Sequence, residues 1–113
     1  MLGGQYQDKI INNFIYIYIM NNYEKLLVEF LGTMLLVMSV IMSGNYLVVG
    51  ATLSIIILLW KHISQGAFNP AKALAMAYAG IIPQEDLIPY IVVECLGAIV
   101  GYEIADNLIK FLK

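Results

Sequence analysis

The residues best placed to do chemistry lie in one stretch, His62-Ile63-Ser64-Gln65-Gly66-Ala67-Phe68-Asn69-Pro70-Ala71-Lys72. Asn followed by Pro is a helix start. The Asn side-chain oxygen caps the first turn, and Pro at the first helical position gives up only a donor that would be orphaned anyway. While that oxygen is engaged, the amide donors of Asn69 remain free for a polar molecule beside the cap. Two carboxyl groups, Glu29 and Glu94, stand inside apolar stretches, where an acidic side chain must face protein or water. His62 has no His-Glu partner, nucleophile elbow or phosphate loop to work with, so the residues offer no catalytic constellation. Cys95, the single cysteine, lies in an apolar run and reads as a packed thiol. Met34, Met38 and Met42 recur every four residues, a spacing that reads as helix packing and not as a metal site.

The elements that must position these groups are apolar helices. Of 113 residues 61% are hydrophobic and 12% charged, with a mean hydropathy of +0.81. That excludes an ordinary soluble domain and points to an integral, multi-pass membrane protein. Six Lys, no Arg and eight acids leave a net charge of −2, which excludes a nucleic-acid surface. The pattern predicts spans over about Leu26 to Met42, Tyr46 to Trp60 and Pro89 to Ile109. Between the second and third, Pro70 to Tyr78 is predicted as a helix of roughly 13 Å, about half a hydrocarbon core of about 30 Å, and hence re-entrant. Gln84-Glu85-Asp86 marks a return to water. Residues 1–22 read as an extension of doubtful structure ahead of a membrane domain over 23–113. The run Phe14 to Met20, bracketed by Asn pairs, is too short to span and lacks the features of a signal peptide. It reads as an interfacial anchor, or as a segment ahead of an alternative start at Met20. The Lys distribution favours an inside N-terminus.

Three ordered stretches resemble one family. Glu29-Phe30-Leu31-Gly32-Thr33, the loop through Asn69-Pro70-Ala71, and Pro89-Tyr90-Ile91 through Glu94-Cys95-Leu96-Gly97-Ala98-Ile99 are similar to one half of the aquaporin and aquaglyceroporin (major intrinsic protein) family. The fold this implies is all-α: three transmembrane helices plus one re-entrant Asn-Pro-Ala half helix, half of an inverted-repeat fold. The resemblance implies passive passage of water or small neutral solutes such as glycerol, without cofactor, metal or enzymatic step. It places Asn69, Pro70 and Ala71 at the pore centre, with the carbonyls of Gly66, Ala67 and Phe68 as an acceptor ladder. It gives Glu29 the task of bracing the loop, and Glu94, standing where the family has Gln, a similar task. Lys72 occupies the place taken in the second half by a filter Arg. Val49 stands where water-selective members carry a larger Phe. Both imply a looser filter. A family pore needs two halves. The resemblance therefore implies a homo-oligomer, such as an antiparallel dimer, or a complementary half-chain. A non-conducting remnant or a membrane interaction protein is the alternative.

Overall fold

The computed structural model describes residues 2–113 and contains four α-helices: α1 (Leu2–Ser43), α2 (Tyr46–Ser64), α3 (Pro70–Tyr78) and α4 (Leu87–Leu112). A 3-10 turn, Gln84–Asp86, leads into α4. Among the described residues three helices, those carrying α1, α2 and α4, are long and apolar enough to cross a membrane. The expected three spans and re-entrant half helix are therefore the observed architecture.

The helix ends follow local chemistry. Gly44 at φ 59° ends α1, and the Asn45 side chain accepts from the amides of Leu47 and Val48 to start α2. At the other end of α2, Gln65 takes a left-handed conformation (φ 72°) and its N–H bonds the Lys61 carbonyl. The span continues to Ser64, past Trp60, because nothing before Gln65 and Gly66 breaks it.

α1 and α4 pack most intimately. The inward face of α4 carries Tyr90, Glu94, Gly97, Gly101 and Ala105, a helical periodicity of small and polar groups. A Cβ on Gly97 would strike the Phe30 carbonyl oxygen, and one on Gly101 would lie 2.6 Å from the Met34 carbonyl oxygen. Backbone therefore meets backbone there, the close approach that small residues permit in membranes. Cys95 is exposed on the outer face of α4, so the expectation of a packed thiol is corrected. The α4 face that turns inward belongs to its neighbour Glu94.

Two further expectations change. The run Phe14 to Met20 is not a separate element but part of the 42-residue α1. No Gly or Pro interrupts residues 5 to 31, and Asn22, whose polar side chain suggested a boundary, donates to the Tyr18 carbonyl one turn back (2.9 Å). The turn at Gln84–Asp86 is not wholly solvated either. Asp86 is buried, with Lys25 Nζ at 3.1 Å from Oδ2 and the Tyr18 hydroxyl donating to Oδ1. This cluster fastens α1 to the start of α4 and draws Tyr18, from the N-terminal extension, into the fold.

Replacing Gly97 by Val should force α1 and α4 apart and cost about 1–3 kcal/mol. Thermal unfolding in detergent would show a lowered Tm, whereas Gly50→Ala, at a helical position with open space around it, should not lower Tm and should raise it slightly.

Candidate functional site

The site is the loop Gln65 to Asn69 together with the start of α3. Gln65, Gly66 and Phe68 all have positive φ (72°, 71° and 56°), so this backbone makes no regular ladder and must find partners elsewhere. At membrane depth water cannot supply them. Glu29, fully buried on α1, does. Its Oε1 accepts the Phe68 N–H at 2.7 Å and its Oε2 accepts the Ser64 hydroxyl at 2.6 Å. Ser64 Oγ in turn accepts the Gly66 N–H at 3.2 Å, so one carboxylate organises both ends of the loop. The Thr33 hydroxyl, one turn further along α1, donates to the Phe68 carbonyl at 3.2 Å. From α4 the buried Tyr90 hydroxyl donates to the Ser64 carbonyl at 2.9 Å.

The left-handed Phe68 directs its ring inward, where it packs with Val28 and Ile56 and lies tilted against Trp60 with ring centroids 6.5 Å apart. The ring lies against the backbone of Gly32, and a Cβ there would overlap it. Gly32 is thus required by the loop and not only by its own helix.

Asn69 is extended (φ −159°, ψ 127°), and its Oδ1 accepts from Ala71 N at 2.8 Å and Lys72 N at 3.3 Å. Its side chain is exposed at the tip of α3, where the partial positive charge of a helix N-terminus collects. Lys72 turns back on the loop, and its Nζ donates to the Gly66 carbonyl at 2.9 Å. The structure therefore brings Gly66, Ala67, Phe68, Asn69, Pro70, Ala71 and Lys72 together, with the Gly66 and Phe68 carbonyls already engaged by Lys72 and Thr33. Val49 lies apart, half-buried in the first turn of α2. His62 is exposed beside the polar Asn21 to Lys25 segment of α1.

Glu94 is fully buried next to the Glu29 carboxyl and the Asn69 backbone amide. Among the described residues no hydrogen bond of good geometry reaches either of its oxygens. It joins the cluster without making a bracing bond of its own. Four contributions to the site had no signal in residue type alone. The Tyr90 and Thr33 bonds depend on which face of α4 and α1 turns inward, and the Lys72 strap depends on a rotamer. The clamp at Asp86 depends on the helix before Asn21 continuing.

A family model for the major intrinsic protein matches residues 16–112, nearly the whole chain. The chain belongs to the major intrinsic protein family. It is 35% identical over 98 residues to "Glycerol uptake facilitator protein-like 6" of Lactiplantibacillus plantarum, which covers 79% of this chain and 45% of that protein. It is 31% identical over 93 residues to "Aquaglyceroporin AqpS" of Rhizobium meliloti, 68% of this chain and 40% of the relative. Over 37 residues, 33% of this chain, it is 57% identical to "Aquaporin Z" of Brucella melitensis, of which that covers 16%. The chain spans less than half the length of each of these relatives. No solved structure matches at a significant level. Family membership and the three apolar helices make this an integral, multi-pass membrane protein.

Two substitutions separate the carboxyl groups. Glu29→Leu strands the Phe68 amide and the Ser64 hydroxyl, and should cost about 2–4 kcal/mol in detergent unfolding and speed hydrogen exchange at Phe68. Glu94→Gln adds an amide donor beside the Glu29 acceptor and removes a buried acid, so it should raise Tm.

Proposed function

We propose that this chain is half of a passive pore for water or small neutral solutes such as glycerol, completed by a second copy inserted in the opposite orientation. The observation that carries this reading is the tip of α3. Asn69 spends its oxygen on the Ala71 and Lys72 amides and keeps its amide donors on an exposed surface at the positive end of a half helix. A neutral solute can present an oxygen to those donors. A cation or a proton meets the same donors and the helix dipole as an electrostatic barrier. The names of the relatives, a glycerol uptake facilitator-like protein and two aquaporin-type proteins, agree with that class of solute.

The need for a second half follows from what α3 leaves uncovered. Leu74 and Tyr78 on the half helix are exposed, Tyr78 at 92%. Two inverted units with half helices meeting tip to tip are how the inverted-repeat architecture closes such a site at the midplane. A complementary half-chain could serve in place of the second copy. Lys72 gives the pore its particular character. Its ammonium, held on the Gly66 carbonyl, occupies one rung of the acceptor ladder and adds positive charge near the tip. That same bond favours a second reading, a non-conducting remnant whose loop is tied shut.

Stopped-flow swelling of proteoliposomes in water and glycerol gradients tests both. Wild-type vesicles should swell faster than empty ones. Asn69→Asp keeps the cap and, by losing the amide donors, should abolish the gain while changing stability by less than about 1 kcal/mol. Lys72→Ala frees the Gly66 carbonyl and should raise the flux several-fold. If wild type, Lys72→Ala and empty vesicles swell alike, the chain does not conduct and the remnant reading stands.

A further inference from the structure

A groove of about 530 Å³ lies outside the loop, between the N-terminal part of α1 and the start of α4. Phe14, Ile15 and Ile19 form one wall, Ile88 and Val92 the other. Tyr18 and Glu85 are the polar groups of the lining, Tyr18 between Ile15 and Ile19 along α1 and Glu85 in the turn ahead of α4. Glu85 lies in the 3-10 turn ahead of α4 and is exposed beside the buried Asp86, so its carboxylate stands where the α4 wall, from Ile88 to Val93, begins.

We propose that this groove holds one phospholipid whose headgroup carries an ammonium, with an acyl chain between α1 and α4 and the ammonium on Glu85. Three observations point to a lipid of that charge. First, the lining from Ile19 to Leu26 on α1 and from Ile88 to Val93 on α4 is apolar and belongs to two helices long and apolar enough to cross a membrane, so lipid tails are the medium that touches it. Second, the volume falls within the range that holds a small molecule, room for one acyl chain of a lipid whose remainder lies outside the groove, and is too small for a helix. Three turns of helix of about 10 Å diameter occupy roughly 1,200 Å³. A second copy of α1 could lie over the groove but not in it. Third, the charges at the mouth are unequal. Asp86 is neutralised by Lys25 at 3.1 Å, whereas Glu85 is exposed and, among the described residues, has no cation within ion-pair distance. An ammonium complements that carboxylate and an anionic headgroup is repelled by it. The Tyr18 hydroxyl, which donates to Asp86, fixes the floor of the mouth and holds the α1 wall in place.

The test uses the full chain reconstituted in vesicles of equal parts phosphatidylethanolamine, phosphatidylcholine and phosphatidylglycerol with identical acyl chains. The protein is re-extracted in mild detergent, and retained lipid is counted by native mass spectrometry. About one lipid per chain is expected, enriched several-fold in the two ammonium-bearing lipids over phosphatidylglycerol. Glu85→Gln should bring the retained mixture back to the input composition, Glu85→Lys should reverse the preference, and Ile88→Trp should fill the groove and abolish retention. Glu85 and Ile88 are both exposed, so these variants should keep wild-type helicity and Tm. Retention of lipid in the input proportions by the wild type, a preference for phosphatidylglycerol, or an enrichment that survives both Glu85→Gln and Ile88→Trp would overturn the proposal.

Discussion

A backbone that leaves helical geometry inside a bilayer has no water to satisfy it, and everything distinctive in this fold answers that constraint. The answer is the Glu29 carboxylate. By accepting the Phe68 amide and the Ser64 hydroxyl it lets five residues between α2 and α3 run in left-handed and extended conformations. A buried carboxylate is costly on its own. Here the hydrogen bonds it accepts are charge-assisted, and these are among the strongest a protein makes. Removing it would expose two orphaned donors at once.

The rest of the packing serves to bring α1, the loop and α4 within reach of one another. Gly97 and Gly101 let α4 touch the backbone of α1, so that Tyr90 can reach the Ser64 carbonyl and Glu94 comes to lie beside Glu29. Gly32 clears the space for the Phe68 ring, which locks the left-handed residue that directs its amide at Glu29. At the membrane face, Lys25 and Tyr18 on Asp86 fix the angle at which α4 enters. Loss of any of these contacts would be felt at Asn69, whose backbone amide lies beside Glu94.

Much of this was legible in the sequence because it rests on local rules. Asn-Pro starts a helix, alanines continue it, and a nine-residue helix between two apolar spans has to be re-entrant. The half helix runs from Pro70 to Tyr78 as those rules predict. What was not legible depends on long-range contact or on the absence of a break. Asn21 and Asn22 look like the edge of an element, yet an Asn can bond its own helix and the chain has no breaker there, so α1 continues through them. Asp86, in a polar triplet, reads as solvated until Lys25 and Tyr18 are placed beside it. Residue type could not show that Lys72 folds back onto Gly66. A Lys at that position can equally reach outward, and only the geometry of the loop decides.

The exposed tip of α3 makes the pore reading depend on what meets it. A cysteine at Ala71, one residue past the Pro at the tip, and another at Tyr78, at the opposite end of the half helix, tell the arrangements apart when introduced singly with Cys95 changed to Ser. Treatment of membranes with a short thiol crosslinker should give covalent dimers of Ala71→Cys and none of Tyr78→Cys, because in an antiparallel pair the tips meet and the far ends of two half helices lie roughly 25 Å apart. Dimers formed by Tyr78→Cys but not by Ala71→Cys, or by neither variant, would contradict the account.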